Sequence, residues 1–242
     1  MEIKKFTKLK NGMYKLAIED KDIKIHEDLI LKYELLLTRN IDSSLLEKIE
    51  LENKKYECYN LAIKYLKSRQ RSKKEIYEYL NKKEIDKRYI DEIIELLINQ
   101  GYLNDEFYIN SYIHDKILLS SDGPLKIKKY LLSNNLDSDL VNSKMLEYTE
   151  ELEVERIKKI INKLIKSNNK SNYNFKIKIK NYLINLGYNI DLVNKEVSKI
   201  NIDDSNLFEK EKDKLYKKYG KKYSGYELDM KVKQALYMKG YR

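Results

Sequence analysis

The sequence predicts a mainly all-α protein: tandem three-helix repeats in an elongated array, with a small N-terminal αβ cap. Three observations carry this. Residues 179–197, IKNYLINLGYNIDLVNKEV, align without a gap on residues 127–145, IKKYLLSNNLDSDLVNSKM. Apolar positions recur in register: Ile76, Ile127, Ile179 and Val232 form one column, and Leu80, Leu131, Leu183 and Leu236 a second. Strand-like alternation is confined to the first 26 residues or so.

The opening segment reads as three short strands. EIKKFTKLK and MYKLAIE flank Asn11-Gly12, a dipeptide suited to a type I′ hairpin turn, and DIKIHE alternates as a third strand. The pattern becomes helical from Leu29, and SSLLEKIELENKK is a second helix with Asp42 or Ser43 as its cap. Three short strands cannot stand alone, so they are expected to lean on these helices, with residues 1–55 as the cap.

From residue 56 the repeat takes over: 56–103, 104–150, 151–203, and a partial, two-helix copy over 204–242. The two apolar columns lie four residues apart, one helical turn, so both face a core. Tyr79, Tyr130 and Tyr182 fill another column and are expected to pack between helices. Four residues past each column leucine stand Glu84, Asn135, Gly187 and Gly240. All but Glu84 suit the left-handed residue that ends a helix. Asp86, Asp137 and Asn189 follow two residues later as N-caps of the next helix, and Ile85, Leu136, Tyr188 and Tyr241 lie between. The middle helix begins at a capping box, Ser72-x-x-Glu75, in the first copy and near Gly123-Pro124 in the second.

Composition narrows the function. The net charge is +10, with 49 basic against 39 acidic residues. Residues 1–55 hold 12 basic and 11 acidic groups, so the excess belongs to the repeats and favours acidic partners, nucleic acid or protein. No apolar run is long enough for a bilayer, the opening MEIKKFTKLKNGMYK lacks the pattern of a signal peptide, and Cys58 stands alone. The chain is expected in the cytoplasm, with Cys58 as a packing residue. Catalysis finds no footing: His26 and His114 lack partners at metal-ligand spacing, Asp203-Asp204 reads as a polar turn, and no phosphate loop or nucleophile elbow occurs. No catalytic residue, metal or cofactor is expected.

The candidate contacts are basic. Arg69, Arg71, Lys73 and Lys74 crowd the start of the first middle helix. Lys126, Lys178 and Lys231 form one column in the later copies, and Lys128, Lys180 and Lys233 another, either side of the buried position. Stacked with a regular rotation, they would form a ladder with one rung per unit. Arginine's planar fork suits carboxylate or phosphate.

SRQRSKKEIYEYL, then IIELLINQGYLNDEFYINSYI, then DGPLKIKKYLL resemble the RecX family of recombination regulators. The signature is a basic cluster leading into S-x-x-E-I, G-Y-L-N-D-E-x-Y closing the first unit, and G-P-x-x-I opening the second middle helix. The likeness covers residues 57–200. Two departures stand out: the partial fourth unit, and Ile109 where Ala is common. The resemblance implies an elongated, curved array that binds the RecA filament on DNA as a monomer. It implies regulation of recombination and the SOS response, by lying in the filament groove, limiting growth or promoting disassembly, and depressing ATP hydrolysis and strand exchange. It carries the contact role to Arg69, Arg71, Lys73 and Lys74, and then to the lysine columns. A repeated binder meets a repeated filament, so weak contacts act together. The alternative is direct nucleic-acid binding through a basic helical face, and a third reading is a scaffold for another acidic protein.

Overall fold

The structure, a computed structural model, describes residues 1–10, 12–19 and 21–241. It divides into two compact units, Met1–Tyr108 and Ile109–Arg242.

In the first unit, β1 (Ile3–Lys8), β2 (Met13–Ile18) and β3 (Lys21–His26) form an antiparallel sheet in that order. The register sets Phe6 opposite Leu16 and Leu16 opposite Ile23. Asn11 of the expected hairpin turn lies outside the described residues, and Gly12 has φ +70°. Alternation turns Ile3, Leu16, Ile18 and Ile25 inward, where they join Leu29, Ile30, Leu35, Ile41 and Ile49 in one core.

Helix α1 (Glu27–Lys32) is capped by His26, and α2 (Leu35–Thr38) follows a break at Glu34, whose backbone is left-handed at φ 49°. Helix α3 (Ser43–Leu66) starts at Asp42, whose carboxylate accepts the Leu45 N–H at 2.7 Å. Position 55, the expected end of the cap, falls inside α3. This one helix serves two cores, with Ile49 beneath the sheet and Cys58 and Ala62 among the following helices. Between them the buried Asn53 accepts the His26 N–H at 3.0 Å and donates to the Lys24 carbonyl at 2.8 Å. It thus satisfies main-chain groups of the edge strand β3 that would otherwise invite another strand.

Helices α4 (Lys73–Asn81) and α5 (Lys87–Asn99) complete a bundle with the end of α3 around Cys58, Ala62, Ile76, Leu80, Ile90, Ile93, Leu97 and Leu103. The capping box forms in full: Ser72 Oγ accepts the Glu75 N–H and Glu75 accepts the Ser72 N–H. Glu84, the residue least suited to it, still takes the left-handed conformation at φ 59°, as do Asn135, Gly187 and Gly240. The turn geometry overrides the side chain, at a cost of about 1 kcal/mol for a residue with a Cβ.

The second unit continues the pattern. Helix α6 (Asp105–Leu119) begins just before the division and runs into it, followed by α7 (Pro124–Ser133) and α8 (Ser138–Met145). Helices α9 (Glu150–Ile165), α10 (Asn172–Asn185) and α11 (Ile190–Ser198) come next, and α12 (Ser205–Tyr219) and α13 (Gly225–Met238) end the chain. Asp86, Asp137 and Asn189 cap α5, α8 and α11. Every member of the two apolar columns is buried. The tyrosine column is less uniform. Tyr79 stacks on Tyr65 at 4.1 Å and Tyr130 on Tyr112 at 4.6 Å, but Tyr182 is 44% exposed, so the expected packing role fails there.

The middle helices of the second unit meet start to end. Gly123, at the start of α7, donates its N–H to the Leu186 carbonyl at the end of α10, and Leu125 donates to Gly187 at 3.0 Å. Ser171, at the start of α10, donates from Oγ to the Lys239 carbonyl at 2.9 Å, and Asn174 reinforces it at 2.8 Å. Donors at one helix start, backbone N–H groups on α7 and side chains on α10, thereby meet carbonyls at the end of the next helix, which leaves those carbonyls no longer orphaned.

Candidate partner-binding surface

The first candidate surface surrounds the start of α4. The segment 67–72 between α3 and α4 brings Arg71 back over Tyr65 of α3, while Arg69 turns to Glu75 of α4. The Arg71 guanidinium lies 3.9 Å from the centre of the Tyr65 ring, and Tyr79 stacks on that ring, so Tyr65 is held between them. Arg71 also donates to Ser68 Oγ at 2.9 Å, and its side chain is 12% exposed. Its main role is therefore internal.

Arg69 is different. Its Nη2 meets Glu75 Oε1 at 2.5 Å while nearly half of the side chain stays in solvent. Burial on its own would raise the Glu75 carboxyl, but the Arg69 guanidinium and the Ser72 N–H outweigh it and hold the group below the ordinary carboxylate range. Lys73 pairs with Asp105 at 2.9 Å and Lys74 with Glu78 at 3.9 Å, both largely exposed. Exposed pairs of this kind contribute about 0–1 kcal/mol, so an incoming carboxylate can displace the internal one at little cost. Lys73 and Lys74 thus present cations held by weak pairs, and Arg69 a half-exposed guanidinium anchored on the partly buried Glu75.

The lysine columns lie on α7, α10 and α13. Lys126 pairs with Asp122 at 2.6 Å, Lys178 is exposed, and the Lys231 ammonium sits 5.8 Å from the Tyr223 ring. Lys128 and Lys180 are half-buried and Lys233 is exposed. A helix turns about 100° per residue, so the members of each pair leave their helix about 160° apart, on either side of the buried residue. The columns are two faces, not one.

Sequence reasoning missed two groups. Arg156 of α9 donates to the carbonyls of Ile117 and Ser120, closing the end of α6 from a distance of about forty residues in the chain. Its signal was a lone arginine in a lysine-rich chain. The second is the α12–α13 turn, KLYKKYGKKYSGY over 214–226, thirteen residues with five lysines, four tyrosines and no acid.

The residues set aside as non-catalytic have local partners. His26 stacks on Tyr56 at 4.4 Å and accepts the Asp28 N–H. Asp203 accepts from Ser205, and Asp204 accepts the Asn172 N–H at 2.6 Å. Burial pushes the Cys58 thiol up to about 11, leaving it an inert packing group. Among the described residues no group of three or more His, Cys, Asp or Glu is placed to hold a metal, and no helix is long and apolar enough to cross a membrane.

Comparison with known proteins returns one family throughout. Residues 58–97 match the family model for the first three-helix domain of RecX, a span that contains the whole basic cluster. The regulatory protein RecX of Bacillus cereus (strain AH820) is 30% identical over 251 residues, spanning 100% of this chain and 92% of that one. That of Oceanobacillus iheyensis is 27% identical over 223 residues, or 90% and 82% of the two chains. Among solved structures, RecX from Lactobacillus salivarius aligns with a TM-score of 0.52 at 30% identity, covering 62% of this chain and 99% of its own. A second crystal structure, titled regulatory protein RecX, aligns at 0.60 over 83% of this chain and 100% of its own, and at 19% identity it supports the fold alone.

Proposed function

This chain belongs to the RecX family, and on that premise we propose that it is a non-enzymatic regulator of homologous recombination that binds the RecA filament on DNA. Binding limits filament growth or promotes disassembly, and so depresses ATP hydrolysis and strand exchange, in the cytoplasm. The observation that carries the reading is the cluster of Arg69, Lys73 and Lys74 at the start of α4. There Lys73 and Lys74 are held by exposed pairs, and Arg69 presents nearly half of its side chain while bonded to the partly buried Glu75, inside the segment that matches the family model. Arg71 supports the cluster through its Tyr65 stack and is its scaffold more than its contact.

Acidic groups on the filament protein are the complement of this surface. The lysines of α7, α10 and α13 add further contacts, each weak in water and effective when several engage one rigid assembly. A monomer suffices for this, since one chain already carries several units.

The test is ATP hydrolysis by the cognate RecA on single-stranded DNA while this protein is titrated in. Binding to bare DNA is followed in the same buffer across a salt series. Inhibition well below the concentration that binds bare DNA is the expected result. Tight binding to bare DNA with no RecA-dependent effect would replace this reading with direct nucleic-acid binding.

A further inference from the structure

We propose that the α12–α13 turn is a binding site for single-stranded DNA, with Tyr226 as a base-stacking platform and Lys217, Lys221 and Lys222 as phosphate contacts. The site is separate from the cluster at α4 and does not rest on filament binding.

Charge is the first reason. Residues 1–108 hold 22 basic and 21 acidic groups, and residues 109–242 hold 27 and 18, so almost the whole positive excess lies in the second unit. Within α12 two of the early lysines are answered locally, Lys212 on Glu209 and Lys214 on Glu211, while Lys239 also reaches Glu211. From Lys214 to Tyr226 there is no acid, and Lys217, Lys221 and Lys222 form no ion pair among the described residues. Lys217 and Lys218 can be explained by the negative end of α12, where cations are favoured. Lys221 and Lys222 lie beyond that helix and have no such explanation.

Aromatic exposure is the second. Tyr226 is 80% exposed in the first turn of α13, an apolar surface that folding does not use. In the same turn Tyr219 and Tyr223 stand 6.3 Å apart, with Lys218 over the first ring and Lys231 over the second. Interleaved lysines and an exposed ring are the requirements of a sequence-tolerant single-strand site, where rings stack on bases and cations follow the phosphates.

The backbone supplies the third. The turn is pinned by the Lys222 and Tyr223 N–H groups, both donating to the Tyr219 carbonyl, so the lysines are carried on a fixed loop. The start of α13 has no side-chain cap bond, and a Cβ at Gly225 would meet nothing within 4 Å. The equivalent start of α10 is filled by its neighbour's carbonyl through Ser171, and that of α13 is open.

The experiment measures anisotropy of a labelled oligodeoxythymidylate with the full chain, without recombinase, over a salt series. Tyr226→Ser is expected to weaken binding about tenfold with the salt slope unchanged, and Tyr226→Phe to retain it. Lys221→Gln with Lys222→Gln should make the slope of log affinity against log salt shallower by about 1.4. Lys158→Gln with Lys159→Gln, two exposed lysines of α9, is the control and should leave Tyr226 dependence intact. The proposal is overturned if the parent does not bind the strand or if Tyr226→Ser binds as the parent does. It is also overturned if polyglutamate of equal charge displaces the strand as well as unlabelled oligonucleotide, which would make the patch a general acidic-protein surface. Thermal melts check that each variant folds. None of these outcomes bears on inhibition of RecA.

Discussion

The backbone N–H of Gly123 donates to the carbonyl of Leu186 at 2.6 Å, joining the start of α7 to the end of α10. The approach is possible only because both sides lack a side chain. A Cβ on Gly123 would lie 2.5 Å from the Gly187 carbonyl carbon, and one on Gly187 would lie 2.5 Å from the Lys126 nitrogen.

Gly123→Ala is therefore expected to destabilise the chain by about 1–3 kcal/mol, since main-chain atoms must move apart. Gly101→Ala is the comparison. Gly101 has φ +75° but nothing within 4 Å of an added Cβ, so only the conformational cost of about 1–2 kcal/mol applies. Gly187→Ala meets both penalties and should be the most harmful of the three. Urea denaturation of the three variants checks this order.

The two lysines of the cluster and Arg71 should separate function from stability. Arg71→Ala loses the Tyr65 stack and the Ser68 bond and is expected to cost about 1–2 kcal/mol in denaturant melts. Lys73→Glu with Lys74→Glu, in the first turn of α4 and in solvent-exposed pairs, should change stability by less than about 1 kcal/mol, the scale of such pairs, whereas reversal of Arg69 would set a carboxylate against the partly buried Glu75. The same double reversal should raise the concentration for half-inhibition of the RecA ATPase at least tenfold, and an unchanged inhibition curve would remove this cluster from the interface.

Two buried carboxyls should respond to acid in opposite senses. Glu75 is held below the ordinary range, so its contribution is fully present above that range and is lost as pH falls through the lowered value. Glu75→Gln should flatten the acid side of the stability profile while lowering stability at neutral pH. Glu153 is raised, mainly because burial disfavours its charge, so stability grows as pH falls through its raised value.

Glu153→Gln keeps an acceptor for the Asn189 N–H, now 2.6 Å from Oε1, and removes the charge. It should equal or exceed the parent in stability at neutral pH. Glu153→Leu leaves that N–H unpaired and should cost about 1–3 kcal/mol.

Cys58 is buried and its thiol lies far above neutrality. An aromatic disulfide reagent at pH 8 should label it only as fast as the chain opens, and at once in denaturant. Rapid labelling of the native chain would contradict its place in the α3–α5 core.

Most of the repeat was legible because its signals are local. Ile76 and Leu80 lie one turn apart, Ser72 reaches Glu75 three residues on, and Asn189 caps the helix it precedes. The same locality explains the misses. Glu84 is left-handed against its own preference because the turn geometry, shared by four copies, decides. Tyr182 occupies the position of Tyr79 and Tyr130 but is 44% exposed, where those two stack on Tyr65 and Tyr112, and pattern alone could not reveal that. Arg71 and Arg69 are two residues apart with the same chemistry, and only Tyr65 across the loop makes one a support and the other a surface. The union of α7 and α10 links residues more than sixty apart, beyond any periodicity.

Joints made of main-chain atoms have a consequence for how such a molecule can lengthen. Nothing in the bond from Gly123 to Leu186 depends on which side chains clothe the two helices, only on a bare backbone at the meeting point. A whole unit copied in tandem brings its own helix start and its own left-handed end, and so arrives with both halves of the fastening. The exposed faces are then free to diverge, one unit carrying Arg69, Lys73 and Lys74 around a helix start and another gathering lysines and tyrosines in the turn between its helices.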